Sequence, residues 1–449
     1  MKNSLSDKIY IIVCLAVLLA PLAGMLVFGE ARPAANEAPA PRPSLKNAGG
    51  SFNTRVLSEV QDYIAVRCFL RTESASVWAA LNAGLLRTSV EDDVVLGSEG
   101  WLYYGRTVDD YMGLGLTDEQ LTAAARNLAL MQEYVLSRGA RFVFTVAPNK
   151  NSLYPGHMPG RIPAGSGANR ERLPALLEQA GVNYADLYAP FLSRGEILYY
   201  RTDSHWTNRG AALAADTLLA SLGMASDWFN AGFAPVGGHR GDLYEMLFPA
   251  GDRTEPEAAP AFSHVTDADP NGGDAINIRT ASPATGGALL CFRDSFGRAL
   301  YPYLADSFAG ALFSRQSAYD LTRMDELGAD AVIIELVERN ISQLITEAPV
   351  FPAPERDAPD APEARSGVAV SSQPGSTAGT ASLRRWYGEL DADQGAPVYL
   401  LCAGRWYECC LLDAGEGRAG FSAWLPEDAG APELVSAYLG GEPVSYFFL

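Results

Sequence analysis

Two short stretches hold the residue types that acyl chemistry needs. Thr202-Asp203-Ser204-His205-Trp206 places an acid two residues before a histidine, and Cys291-Phe292-Arg293-Asp294-Ser295-Phe296-Gly297 offers a serine about ninety residues later. A serine hydroxyl is a weak nucleophile until a neighbouring base takes its proton, and that base works only when a third group fixes its tautomer and orientation. Ser295, His205 and Asp203 supply nucleophile, base and orienting acid. Ser295 follows an apolar run and precedes a second, helix-like one, so it is expected at a strand-to-helix turn. The free backbone N–H groups of such a turn can receive an oxyanion.

Other residues near these stretches are weaker candidates. Asn149 and Lys150 follow the apolar run Phe142–Val146 and can reach a site at its end, although Asn and Lys in that position usually make a turn. Arg293 and Asp294 flank the serine, and Arg298 and Tyr301 lie one helical turn or more beyond it, where contact with substrate competes with solvent-facing or packing roles. Trp206 can either stack on a sugar ring or wedge its loop against the core. The four histidines (His157, His205, His239 and His264) show no metal-binding spacing, so no metal is expected, and no nucleotide or other cofactor is called for.

The elements that must position these residues alternate. Thr117 and Gln120 form a capping-box pattern, after which Leu121, Ala124, Leu128, Met131 and Val135 share one helical face until Gly139. Phe142–Val146 then reads as a strand buried on both faces. A helix near Arg170–Ala180 and a short strand near Val182–Tyr184 repeat the order more weakly. Thr207 is expected to cap a helix running to about Leu222. Ala288–Phe292 and Ala331–Leu336 are two more buried strands, with a helix from about Phe296 to Leu304 between them. Such alternation predicts an α/β fold with a mostly parallel sheet and helices on both faces, whose strand ends would gather the two stretches into one crevice. Residues 223–286, rich in Gly, Pro and Asp, read as long surface excursions. At the start of this domain, the spacing predicts helix between Phe52 and Leu86, then a hairpin from Val94 to Tyr104.

The ends differ in character. Ile9–Gly29 is uncharged and almost wholly apolar, and at about 1.5 Å per residue it just crosses a ~30 Å hydrocarbon core. Lys2 and Lys8 precede it, which favours a cytoplasmic N-terminus and places the rest outside the cytoplasm. An uncleaved anchor over residues 1–30 is favoured over a cleaved signal peptide, because the run exceeds the usual h-region. Residues 31–50 form an Ala/Pro-rich stalk, 51–345 the α/β domain, 346–383 a disordered linker and 384–449 a small β-domain. Trp386, Trp406 and Trp424 in that last part are more readily core residues than a carbohydrate platform. The six cysteines leave an odd five after the apolar span and make no disulfide framework. With 53 acidic against 34 basic residues and a net charge of -19, no basic run exists to follow a nucleic acid.

Tyr200-Arg201-Thr202-Asp203-Ser204-His205-Trp206-Thr207-Asn208-Arg209-Gly210-Ala211, followed by Phe292-Arg293-Asp294-Ser295-Phe296-Gly297, resembles the paired motifs of the DHHW proteins and of the AlgJ/AlgX alginate O-acetyltransferases. Gly97–Tyr104, Pro148-Asn149-Lys150 and Glu335–Asn340 also resemble family signatures, so the likeness spans roughly residues 50–345. Ser204 stands where the DHHW name has its first His, and Arg293 where the acetyltransferases have Gly. The resemblance implies an SGNH-hydrolase-like domain and an extracytoplasmic, membrane-anchored serine O-acetyltransferase or acetylesterase acting on an exopolysaccharide or cell-wall glycan. It also implies an acyl-Ser295 intermediate and a separate multi-span membrane acyltransferase partner. The alternative is a catalytically silent glycan-binding scaffold.

Overall fold

The computed structural model describes residues 5–30, 40–47, 49–267, 273–364, 366–415 and 417–448. Most of the Ala/Pro-rich stretch expected as a stalk, residues 31–39, lies outside the described residues, as does Lys2. The chain forms two compact units. The first comprises Met1–Gly105, Arg201–Ser204 and Gly238–Glu255, and the second comprises Arg106–Tyr200, His205–Gly237 and Pro256–Leu449.

The first unit opens with helix α1 (Leu5–Phe28). After Ser6, Asp7 and Lys8 in its first turn its sequence is apolar on all sides, and consecutive residues Ile9 to Val13 are all exposed. Among the described residues no single helix is long and apolar enough to cross a membrane, although the pair Asp7–Val17 and Leu19–Phe28, bent by 46°, passes by length and composition. The expected helical stretch after Phe52 divides into α2 (Val56–Arg67) and α3 (Arg71–Leu81), the latter running into a π-helical turn at Asn82–Leu86. Leu70, at φ +61°, makes the break, since no helix continues through a left-handed residue. The predicted hairpin forms as β1 (Val94–Leu96) against β2 (Leu102–Tyr104), antiparallel.

The second unit is built on a seven-stranded sheet. Helix α4 (Asp118–Ser137) starts at the expected capping box, with the Thr117 hydroxyl accepting from Gln120 N–H and the Gln120 side chain accepting from Thr117 N–H. Strand β3 (Arg141–Ala147) follows, then α5 (Asn169–Gln179), β4 (Tyr184–Ala185) and α6 (Asn208–Ser221), capped by Thr207. Next come β5 (Val265–Thr266), β6 (Asn277–Ala281), β7 (Ala288–Phe292), α7 (Gly297–Ala305), β8 (Gly310–Ser314) and β9 (Ala331–Val337). The strand order is β4-β3-β9-β7-β8-β6-β5. The first five run parallel, and β6 and β5 are added antiparallel at one edge. Phe142, Phe144 and Val146 of β3 face one core with α4 and α5, while Val143 and Ala147 face the other with α6 and α7. Continuous apolar strands are the expected consequence.

Two expectations need correction here. Residues 223–286 are not only surface excursion, because Ile278 of β6 is fully buried and β6 pairs along its whole length with β8. Nor are residues 346–383 a disordered linker. They contribute β10 (Glu355–Arg356), β11 (Ser366–Val368) and β12 (Val370–Pro374) to the C-terminal sheets. These strands are edge or short strands in a Pro-rich segment, where the ladder tolerates missing N–H donors and apolar periodicity is faint. With β13 (Leu383–Leu390), β14 (Tyr399–Cys402), β15 (Arg405–Glu408), β16 (Cys410–Asp413), β17 (Ala419–Pro426), β18 (Leu434–Leu439) and β19 (Glu442–Phe448) they form two sheets. The orders are β10-β15-β14-β18-β19-β11 and β12-β13-β17-β16.

Candidate active site

The serine and histidine are held by different parts of the second unit and meet. Ser295 occupies the short turn between β7 and α7, as the sequence pattern requires. Residues 198–200 and 205–207 run antiparallel, with Tyr200 N–H donating to His205 O at 3.3 Å and Thr207 N–H to Leu198 O at 2.8 Å. This pairing places His205 immediately before α6, and its Nε2 lies 2.8 Å from Ser295 Oγ. That is hydrogen-bond distance for a general base and its nucleophile.

Aromatic packing fixes both partners. The His205 ring lies 4.7 Å from the Phe296 ring, and Trp206 meets Phe296 edge-on at 5.0 Å. Trp206 is only 1 % exposed and its Nε1–H donates to Phe296 O at 3.1 Å, so it wedges the loop and is not a platform for a sugar. Tyr199 packs on the same Phe296 and donates its hydroxyl to Pro148 O at 2.6 Å. The histidine loop, the nucleophile turn and the end of β3 are thereby tied through one aromatic cluster.

Asp294 ties the nucleophile turn to β9. Its Oδ1 accepts from Phe296 N–H at 2.9 Å, and its Oδ2 accepts from Val337 N–H at 2.7 Å and from the Asn340 amide at 3.0 Å. Glu335, fully buried one strand over, accepts from Asp294 N–H at 3.3 Å. Burial, reinforced by the adjacent Asp294 charge, pushes the Glu335 carboxyl well above the usual carboxylate range. Arg339 stacks above Phe296 at 5.5 Å. Glu335, Arg339 and Asn340 were legible only as parts of a family-like signature, because nothing in Glu335–Asn340 taken alone indicates that it closes under a serine turn.

Arg293 does not obstruct that turn. Its guanidinium is buried and directed to backbone carbonyls, Gly273 O at 2.8 Å, Ala275 O at 3.1 Å and Asp294 O at 3.2 Å. Burial lowers its pKa from the ordinary arginine value. The side chain takes the space a Cβ on Gly297 would occupy, 2.4 Å from Arg293 Cδ, so a larger residue at 293 is matched by glycine at 297. Arg298, by contrast, is exposed and pairs with Asp274 at 3.1 Å.

Asn149 and Lys150 sit directly after β3. Because β3 and β7 flank β9 in parallel, this turn and the Ser295 turn open at the same end of the sheet. Asn149 N–H donates to Glu338 Oε2 at 2.8 Å, while its side-chain Nδ2 and Oδ1 are buried without a hydrogen-bond partner among the described residues. Lys150 is buried and donates to Tyr200 O at 3.1 Å. Glu338 also accepts from Ser152 Oγ at 2.7 Å, and burial with Asp110 close by raises its carboxyl well above the ordinary range.

Asp203 belongs to the first unit. Its Oδ2 contacts His239 Nε2 at 2.7 Å and accepts from Asp242 N–H at 2.9 Å. Ser204 donates through its backbone and hydroxyl to the Asp242 carboxylate at 2.7 and 2.5 Å. His239 and Asp242 were hidden from sequence reasoning by their distance along the chain and by the irregular composition around them.

These features define an SGNH-hydrolase-like fold of mixed sheets and helices. Residues 94–275 match the family model described as SGNH hydrolase-like domain, acetyltransferase AlgX, a span that includes Asp203 and His205 and ends before Ser295. Curated relatives carry the name "Probable alginate O-acetylase AlgJ". The protein of Pseudomonas syringae pv. tomato is 33 % identical over 161 residues, 33 % of this chain and 37 % of its own length. That of Pseudomonas fluorescens is 27 % identical over 256 residues, 52 % of this chain and 61 % of its own length. The chain thus spans between about a third and three fifths of these two relatives. Solved structures with likeness include a DHHW family protein from Eubacterium siraeum, 16 % identical with a TM-score of 0.41, covering 51 % of this chain and 90 % of that one. Another is the O-acetyltransferase domain of Pseudomonas putida AlgJ, 20 % identical with a TM-score of 0.38, covering 55 % and 91 %. The resemblance read from the paired motifs holds.

Proposed function

We propose that the protein is a serine O-acetyltransferase or acetylesterase of an exopolysaccharide or cell-wall glycan, working through an acyl-Ser295 intermediate. The observation that carries the reading is the 2.8 Å approach of His205 Nε2 to Ser295 Oγ at the C-terminal edge of a parallel sheet. The names of the AlgJ relatives supply the acetyl group and the polysaccharide. In the first half-reaction Ser295 Oγ bonds to the acetyl carbon of the donor, His205 takes the hydroxyl proton, and the donor's leaving group departs with it. In the second, a sugar hydroxyl attacks the same carbon, its proton passes to His205, and Ser295 Oγ leaves with the proton returned to it. Water in place of the sugar gives the esterase.

Asp203 is assigned as the acid that orients His205. The Asn149 side-chain amide, buried with no hydrogen-bond partner among the described residues, is assigned to the oxyanion together with the backbone N–H groups of the Ser295 turn. The N-terminal apolar helix is assigned as an anchor that keeps the catalytic units on the outer face of the membrane, where a multi-span acyltransferase would deliver acetyl groups.

The test is turnover of a chromogenic acetyl ester, with mass spectrometry of the quenched enzyme. The expected adduct is +acetyl on the Ser295 peptide, absent from Ser295→Ala. Both Ser295→Ala and His205→Ala should lose on the order of 10³-fold or more in kcat. Asn149→Ala should lose ~10²-fold in kcat with KM little changed. Glycan binding without an adduct or turnover would replace this reading with that of a silent scaffold.

A further inference from the structure

In the first unit, α1 is apolar from Ile9 onward, and Ile9 to Val13, Leu15, Val17, Leu19, Leu22 and Leu26 to Phe28 are exposed, a surface suited to lipid. Its C-terminal half is not isolated. Phe69, in the turn between α2 and α3, donates its backbone N–H to Pro21 O at 3.3 Å. The Phe69 ring stacks on Phe28 at 5.0 Å, and a Cβ on Gly24 would fall 2.2 Å from Phe69 Cδ1, so the glycine is what lets the ring in. Pro21 lies seven residues before the end of α1, roughly 10 Å along a helix. The α2–α3 turn therefore reaches down beside the last two turns of the apolar helix. Just beyond the helix end, Glu30 is paired with Arg67 at 3.0 Å, which marks where charge resumes.

Helix α3 leaves from that depth and presents an apolar face that is left exposed among the described residues. Val77, Trp78 and Leu81 fall within about 100° of one another on a helical projection, Leu85 follows in the π turn, and all four are exposed, Trp78 by 60 % and Leu85 by 78 %. Leu86 in the π turn extends the patch. Isolated exposed apolar residues need no explanation, but a contiguous helical face does. Trp78 among aliphatic residues is also the residue type that settles at the lipid–water boundary.

We infer that α3 and its π turn form a second membrane-contacting element, lying in the interface of the bilayer that holds α1, with Val77, Trp78, Leu81 and Leu85 directed into lipid. The inference rests on the anchor reading of α1. An in-plane helix tethered to a span through Phe69 restricts how the following hairpin leaves the membrane.

The experiment uses the full chain in phosphatidylcholine/phosphatidylglycerol vesicles, with lipids brominated at defined acyl depths as quenchers. Trp78 is the one exposed tryptophan among the described residues, so the difference between the chain and Trp78→Phe isolates its emission. Flotation with vesicles together with quenching of the Trp78 component by shallow bromines supports the inference. The Leu81→Ser/Leu85→Ser variant should float and lose that quenching, while its far-UV spectrum stays unchanged. Flotation without quenching of Trp78 overturns the inference and leaves the anchor standing. Failure to float overturns both. Trp78 shielded equally without lipid, with Trp78→Cys chains cross-linking to one another, overturns it in favour of a second copy of the chain.

Discussion

Asp294 shows how much of an active site is work done away from the reacting atoms. It spends three hydrogen bonds on fastening the Ser295 turn to the end of β9. Asparagine keeps one acceptor but turns an N–H₂ towards groups that are themselves donors. Asp294→Asn should therefore lower stability by about 1–3 kcal/mol, and it should lower kcat for the acetyl ester by roughly 10- to 100-fold with KM little changed, because the displaced Oγ loses alignment before it loses binding. Steady-state kinetics beside thermal unfolding decides the matter, and a less stable protein with unaltered kcat would reduce Asp294 to a structural part. At this scale the sequence was informative about residue types. Ser295 and His205 were legible because nucleophile and base are rare combinations next to strand and helix signals. Asn340 was legible only within a family-like signature, and the Asp203 partners His239 and Asp242 not as partners at all, since contacts to residues nearly forty positions away leave no local pattern.

At the scale of elements, the C-terminal edge of the sheet is stabilised by buried carboxyl groups that favour the protonated form. Glu338 links the turn after β3 to the end of β9 through Asn149 N–H and Ser152 Oγ. Burial first, then Asp110, raises its pKa above that of the unfolded chain. A carboxyl raised in this way binds its proton more tightly when folded, so its contribution is fully present below the unfolded value near 4.3 and is lost as pH rises through the folded one. Stability should therefore fall between about pH 5 and pH 8, and Glu338→Gln, which keeps an acceptor for both donors, should flatten that fall by on the order of 1–3 kcal/mol. Melting curves across that range measure it; parallel pH profiles for the two proteins would contradict the assignment. Glu335 has the same sign and leaves a residual slope in both. The strands and helices carrying these groups were readable from apolar runs and caps. Strand β8 escaped because Gly310-Ala311-Leu312-Phe313-Ser314 is short and bordered by small residues, and β6 because its alternation is that of an edge-side antiparallel strand within irregular sequence.

At the scale of the whole chain, the C-terminal sheets are not an appendage on a tether. They share one continuous core with α4, β3 and β9, in which Leu400, Leu411 and Phe421 pack in the same cluster as Leu121, Leu128 and Phe144. The seam is also polar. Asn127, fully buried on α4, donates to Leu344 O at 2.8 Å and Leu411 O at 2.7 Å and accepts from Leu411 N–H at 2.8 Å. Arg126 and Arg356 both hold the buried Glu408, each at 2.7 Å. Sequence composition suggested a disordered linker at residues 346–383 because Pro and Ser suppress the apolar rhythm there, whereas strand pairing to β13, β15 and β19 depends on partners further along the chain. The second unit should accordingly unfold as one cooperative body. Asn127→Ala should cost about 2–4 kcal/mol, since it strands one N–H and two carbonyls in the core, and calorimetry should show the whole transition moving down together. A chain ended at residue 346 should fail to reach a native, cooperatively melting state, because α4 would then expose the face that Leu411 and its neighbours cover. An α/β domain that melts at an unchanged temperature after that truncation would instead restore the picture of a separate β-domain on a linker.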